Sequence, residues 1–262
     1  MLSELRQKYP KNVVTVDDLR VEITRTRGAG KALVMLPGAQ GTSETFYRQI
    51  LAWGAARDVV SVNYPAGENA SEQANFLLRL LNSIGIEHFD VLGTSYGAYL
   101  AQWIPLLSPS SVGRMVLGNG FHDPSPAQTP EKLANLETSS PEKIKADVVE
   151  RLQKSADTEL KSSLLDLIGI GQSPQAVRDR MLAVQRASPV PRSNFPESHM
   201  LLIECDDDPL INPLMRQSIR SNYPGAKHVT ISGGGHYPYI NKPELYNEAV
   251  SEFLEIFVSP RV

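Results

Sequence analysis

The sequence predicts an α/β fold: a mostly parallel, eight-stranded sheet flanked by helices, with a helical segment inserted late in the chain. Three observations predict it. Short apolar runs recur with amphipathic stretches between them, the alternation expected of a parallel sheet. Several runs are apolar almost throughout, as strands covered on both faces are. The alternation lapses between Asp123 and Pro196, where no strand pattern appears. A chain of 262 residues suffices for one large domain, and at that size roughly 70–75% of the unfolded surface becomes buried.

The elements follow in order. Val13–Val16 and Leu19–Thr26 open as strands, the second alternating in LRVEITRT. Lys31–Leu36 (KALVML) is a covered strand that stops at Pro37-Gly38, and Thr45–Trp53 reads as a helix. Asp58–Val62 is a strand closed by Asn63-Tyr64-Pro65, and Glu72–Ile84 an amphipathic helix ended by Gly85. Phe89–Gly93 is a strand, Tyr96–Leu107 a helix and Arg114–Gly118 a strand. Residues 1–122 thus form the first part of a core, 123–196 a helical lid, and 197–262 the rest of the core. Within the lid, helical patterns cover Pro130–Glu137, Pro141–Lys154, Glu159–Ile168 and Gln175–Ala187. Thr129 and Ser140 stand where N-caps belong, each before a proline suited to the first helical position. The lid has little to bury alone. His199–Glu204 resumes the strands, Pro213–Asn222 is a helix, Lys227–Ile231 the last strand and Pro243–Val258 a closing helix.

Composition narrows the function classes. The formal net charge is −3 and the basic residues are scattered singly, so nothing supplies the cationic run that a nucleic acid backbone requires. Cys205 is the one cysteine, which excludes an intrachain disulfide and a cysteine-rich metal site. No segment approaches the roughly 20 consecutive apolar residues of a membrane span, and MLSELRQKYPKN does not resemble a signal peptide. The expectation is a cytoplasmic protein without metal or organic cofactor.

The chemistry is concentrated in Phe89–Ala98, which contains G-x-S-x-G between an apolar strand and an apolar helix. A serine nucleophile must stand clear of the sheet on a sharp strand-to-helix turn. Such a turn leaves no room for side chains two positions either side, and Gly93 and Gly97 supply that room around Ser95. The bland alternative is a turn whose serine merely caps the helix. Of the histidines, His88, His199 and His228 adjoin or lie in strands and His122 has no distinctive setting. His236 follows Ser232-Gly233-Gly234-Gly235 past the last strand, on a loop able to carry an imidazole over the strands' C-terminal edge. Open α/β sheets place their sites at that edge, which makes His236 the candidate general base. The acid should come from the Asp206-Asp207-Asp208 run after strand 199–204, with Asp123 a weaker substitute. An oxyanion hole needs two backbone donors: Tyr96, after the nucleophile, and Ala39 or Gln40 in the loop Pro37–Thr42. A plain glycine-rich turn is the other reading of that loop.

Together these residues resemble the α/β-hydrolase superfamily over essentially the whole chain. That fold's triad runs Ser, then Asp, then His, the order of Ser95, Asp208 and His236. Asp208 is preferred over Asp207 because it precedes Pro209-Leu210-Ile211, as the acid often does in such proteins. Many members carry His-Gly where this chain has Pro37-Gly38; the backbone donors do not depend on that side chain. LPGAQGTSETFYRQILAW, Val59–Pro65, RMVLGNGFHD and NYPGAKHVTISGGGHYPYI further resemble maspardin-type members, over about half the chain in separated blocks. The superfamily implies hydrolysis of a small-molecule acyl substrate such as a carboxylic ester, by Ser95, His236 and Asp208. The maspardin-type resemblance implies instead a binding or adaptor protein with a protein partner, in a group without a histidine where His236 stands. This sequence departs from that pattern by keeping the histidine.

Overall fold

A computed structural model of the chain describes residues 1–65, 69–156 and 158–257. Eight strands form one sheet: β1 (Asn12–Val16), β2 (Leu19–Arg25), β3 (Ala32–Leu36), β4 (Asp58–Val62), β5 (Phe89–Thr94), β6 (Val112–Gly118), β7 (Met200–Glu204) and β8 (Lys227–Thr230). Their spatial order is β1-β2-β4-β3-β5-β6-β7-β8. β2 pairs antiparallel with β1 and β4, and every other pairing is parallel. The chain therefore builds outward from β3 on one side, then returns past it to lay down β5 on the other. That reversal is the switch point at which ligands meet open α/β sheets.

The helices are α1 (Leu2–Lys8), α2 (Tyr47–Trp53), α3 (Ala70–Ser83), α4 (Tyr96–Leu107), α5 (Pro130–Thr138), α6 (Pro141–Lys154), α7 (Glu159–Leu164), α8 (Pro174–Arg186), α9 (Pro213–Asn222), α10 (Pro238–Asn241) and α11 (Pro243–Leu254). None is long and apolar enough to cross a membrane among the described residues. Alternate strand residues feed two cores, because successive side chains leave a strand on opposite faces. Val34, Leu36, Val60, Val62 and Val91 pack with α3 and α4. Leu33, Met35, Val59, Leu92 and Ile203 pack with α1, α2 and α11 on the other face. β5 is buried at every position, including Asp90, whose carboxylate is paired with Lys31 at 2.6 Å and Arg57 at 2.5 Å. Each fully buried side chain of this size contributes about 1.5–3 kcal/mol.

Between β6 and β7 the chain forms α5–α8 and, among the described residues, no strand. Thr129 and Ser140 accept from the Lys132 and Lys143 N–H groups at 3.1 and 3.2 Å, capping α5 and α6 ahead of Pro130 and Pro141. The segment buries more of its own than expected: Leu136, Ile144, Val148, Leu164, Ile168, Val177 and Leu182 form a cluster that reaches the rest of the molecule through Tyr237. The helix expected over Glu159–Ile168 changes character, since α7 widens into a π-type turn over Leu165–Ile170. The short helices α1 and α10 lack a full amphipathic period and carry no clear sequence signal. The last helix ends earlier than expected, where Glu255 turns left-handed (φ 55°) and cannot continue it; Val258 lies outside the described residues.

Candidate active site

Ser95 joins β5 to α4 with φ 54° and ψ −122°, a conformation that few residues other than glycine adopt. The flanking glycines are required by contact. A Cβ on Gly93 would stand 2.3 Å from the Gly97 carbonyl oxygen, and one on Gly97 only 2.0 Å from that of Leu36. The Ser95 N–H donates to the Gly118 oxygen at 2.9 Å, which fixes the turn to the end of β6. The following loop of β3 passes directly against the serine: a Cβ on Gly38 would come within 3.1 Å of the Ser95 Cβ and 3.7 Å of its Oγ.

That loop is a β-turn closed by the Gly41 N–H on the Gly38 oxygen at 2.9 Å. Ala39 and Gln40 occupy its two central positions, and the closing bond uses neither of their N–H groups. Tyr96 is the first residue of α4, where an N–H has no partner within its own helix. All three predicted oxyanion donors thus stand at the edge that holds Ser95, Ala39 and Gln40 lining the same cavity as the serine.

The three aspartates after β7 have distinct partners. Asp206 Oδ2 accepts from the Ser232 hydroxyl at 2.8 Å and Asp207 Oδ1 from the Gly235 N–H at 2.9 Å, both at the surface. Asp208 alone is buried. Its oxygens lie 3.1 and 2.9 Å from His236 Nδ1. Oδ1 also accepts the Leu210 and Ile211 N–H groups at 2.8 and 3.1 Å, and Oδ2 the Asn119 amide at 2.7 Å. Burial by itself would raise this carboxyl. The His236 hydrogen bond and charge, with the Asn119 and Leu210 donors, outweigh it and hold the group below the usual carboxylate range. Asp123 stands apart, accepting from Ser125 N and Oγ in a local turn.

The histidine loop is less free than its glycines suggest. Gly233 and Gly235 adopt left-handed backbone (φ 71° and 58°), and a Cβ on Gly234 would lie 2.6 Å from Cys205 Sγ. The Asn241 amide donates to the Gly234 oxygen and the Asn119 amide to that of Gly235, each at 3.0 Å. The backbone that carries His236 is consequently pinned at the two residues before it, and the imidazole lines the cavity that Ser95 lines.

Sequence reasoning did not find Asn119. It sits just beyond β6 with φ 43°, is 2% exposed, and spans the acid and histidine loops with one amide. An Asn-Gly pair ending an apolar strand was its only signal, and that pattern reads first as a turn. Arg180 was also missed. It falls on the apolar register of α8 with Val177, Met181 and Val184, which a solvated arginine would avoid.

The cavity holds about 410 Å³. The inserted helices contribute Leu136, Leu164, Leu167, Met181 and Val184 to its wall. Ile168 and Leu182 of the same segment pack inside the insertion's own cluster instead, and Leu165 does not line the cavity. Exposed Lys132 and Arg151 stand at the rim; among the described residues, no Asp or Glu lines the cavity and neither cation forms an ion pair.

A family model described as "Alpha/beta hydrolase family" matches residues 33–249. Maspardin of Homo sapiens is 25% identical over 266 aligned positions, which cover 90% of this chain and 80% of maspardin. A thermophilic esterase from Thermogutta terrifontis superposes with a TM-score of 0.77 at 17% identity, covering 94% of this chain and 98% of the esterase. A hydrolase from Pseudomonas aeruginosa PA01 gives 0.76 at 18% identity, covering 93% and 98%. Structural likeness at such identities speaks to the fold alone.

Proposed function

We propose, from the premise that this chain belongs to the alpha/beta hydrolase family, that it is a serine hydrolase acting on a carboxylic ester or related acyl bond. The observation that carries this reading is the buried Asp208–His236 pair at 2.9 Å, whose histidine lines one cavity with Ser95 on its strained turn. A carboxylate held ionised behind an imidazole keeps the Nδ1 proton in place and leaves Nε2 to act as base.

In the proposed cycle, Nε2 of His236 takes the Ser95 hydroxyl proton as Oγ attacks the substrate carbonyl. The oxyanion so formed is met by the N–H groups of Ala39 and Tyr96, with Gln40 as a further donor. His236 then gives its proton to the leaving group, and an acyl ester remains on Ser95. Water, deprotonated by the same imidazole, adds to that ester and releases the acid. Asp208 stays ionised throughout and stabilises the imidazolium. The strands' switch point supplies Ser95 and both donor loops, and α5–α8 act as a lid that limits water and substrate size. An apolar wall, two rim cations and no lining carboxylate favour acyl chains that are neutral or end in an anion.

The test is reaction with a fluorophosphonate probe beside hydrolysis of p-nitrophenyl esters of increasing chain length. Labelling and turnover that vanish in Ser95→Ala are expected. Folded wild-type protein that neither labels nor turns over any ester would favour the adaptor reading that the maspardin likeness raises.

A further inference from the structure

We infer that Arg180 and Gln172, both in the inserted segment, are positioning residues for the oxyanion hole, so that the lid fixes the donor loop as well as covering the cavity. The inference rests on the proposed role of Ser95 as nucleophile.

The loop Pro37–Gly41 is held by its carbonyls. The Tyr64 hydroxyl donates to the Pro37 oxygen at 2.5 Å, and the Gly41 N–H to the Gly38 oxygen at 2.9 Å. The next two holds come from the insertion: Gln172 Nε2 donates to the Gln40 oxygen and Arg180 Nη1 to the Gly41 oxygen. A peptide unit is planar, with its C=O and N–H opposed. Fixing the Gln40 carbonyl therefore fixes the Gly41 N–H, which closes the turn on Gly38. Closing the turn commits the Gly38 carbonyl, and the Ala39 N–H of that same peptide unit must face the other way. The orientation of the donor is thus set by a chain of planes whose outer end is gripped by Arg180 of α8 and by Gln172, two residues before that helix.

Arg180 is 2% exposed, and all of its partners are uncharged. Besides Gly41 it donates to Asn63 Oδ1 at 2.5 Å and to the Tyr64 carbonyl, and its guanidinium lies 4.8 Å from the Tyr64 ring centroid. A buried cation is costly unless its donors are used, and this one uses them on two loops at once. It steadies Tyr64, which holds Pro37, and it holds Gly41 directly. One guanidinium thus reaches both ends of the turn that carries Ala39, Gly41 directly and Pro37 through the Tyr64 hydroxyl.

The experiment compares Gln172→Leu, Arg180→Lys and wild type for kcat, KM, melting temperature and inhibition by an alkyl boronic acid, which forms a tetrahedral adduct on a serine nucleophile. Displacing a donor should cost part of the 100–1000-fold that losing one costs. The expected result is a fall in kcat of about tenfold or more, an equal loss of boronate affinity, and KM within about twofold. A purely structural role would move KM or melting temperature and leave kcat and boronate affinity of folded protein unchanged; that result overturns the inference. Gln172→Leu, which removes a neutral side chain, keeps the test open if Arg180→Lys does not fold. Wild-type protein that fails to turn over esters or to label fails the serine-hydrolase reading itself, and this inference falls with it.

Discussion

Replacing Asp208 by asparagine separates the proposed triad from every bland account of the aspartate run. The oxygens of Asp208 face donors on all sides: Leu210 and Ile211 N–H at Oδ1, the Asn119 amide at Oδ2, and His236 Nδ1 at both. Either orientation of the new amide sets its NH2 against at least one of them. With the amide oxygen kept on the two backbone donors, its nitrogen opposes Asn119 and the imidazole. His236 then relieves the clash only by moving its proton to Nε2, where it can no longer accept one from Ser95. Loss of the charge together with the wrong tautomer costs about 10⁴-fold in kcat for the equivalent change in Ser-His-Asp proteases, or about 5 kcal/mol. A buried donor left facing a donor costs a further 1–3 kcal/mol or so of stability. Asp207→Asn is the control, since among the described residues that exposed carboxylate accepts only the Gly235 N–H, and it should lose less than about tenfold. The assay is kcat and fluorophosphonate labelling rate, with circular dichroism and thermal melting to verify folding. Folded Asp208→Asn protein within tenfold of wild type, or an Asp207→Asn loss of equal size, would refute the reasoning. The acid limb gives a second readout. Because the folded carboxyl titrates below its unfolded value near pH ~4, its stabilisation is present above that pH and disappears as pH falls through the lower, folded value. The stability gap between wild type and Asp208→Asn should therefore narrow at acid pH.

Ser95→Gly should abolish labelling while raising thermal stability, because glycine adopts φ 54°, ψ −122° without the steric cost borne by serine. Strain of about 1–3 kcal/mol less the extra entropy of a glycine leaves a net gain of about 1 kcal/mol; a lower melting temperature would contradict the strained turn. Ala39→Pro deletes one proposed oxyanion donor at a turn position where proline is favoured. We expect kcat to fall by about 100–1000-fold with KM within a fewfold, and an unchanged kcat would remove Ala39 from the hole. At the rim, Lys132→Ala combined with Arg151→Ala should lower kcat/KM severalfold for a half-ester of a dicarboxylic acid but not for a neutral ester of equal length. Equal effects on both substrates would show that the two cations do not sense substrate charge.

Features whose physical cause is local were legible along the chain. Runs apolar almost throughout marked β3 and β7, because strands buried on both faces need mostly apolar side chains; in β5 the exception, Asp90, is buried against Lys31 and Arg57. Thr129-Pro130 and Ser140-Pro141 marked helix starts because the caps act within one turn. Gly93 and Gly97 marked the turn at Ser95 because their crowding comes from backbone a few residues away or on the adjoining strand. The tertiary structure supplied the physical reason for one aspartate of the three, which the chain itself had favoured only by the Pro209-Leu210-Ile211 that follows it. Asp206, Asp207 and Asp208 are chemically identical in the sequence; burial and a ring of donors from Asn119, Leu210 and Ile211 single out the third. The same holds for Asn119, 89 positions from Asp208, and for Arg180, 139 positions from Gly41. Their partners are chosen by strand order, which brings the ends of β3, β5, β6 and β7 to one edge, and no periodicity over a few residues encodes that meeting.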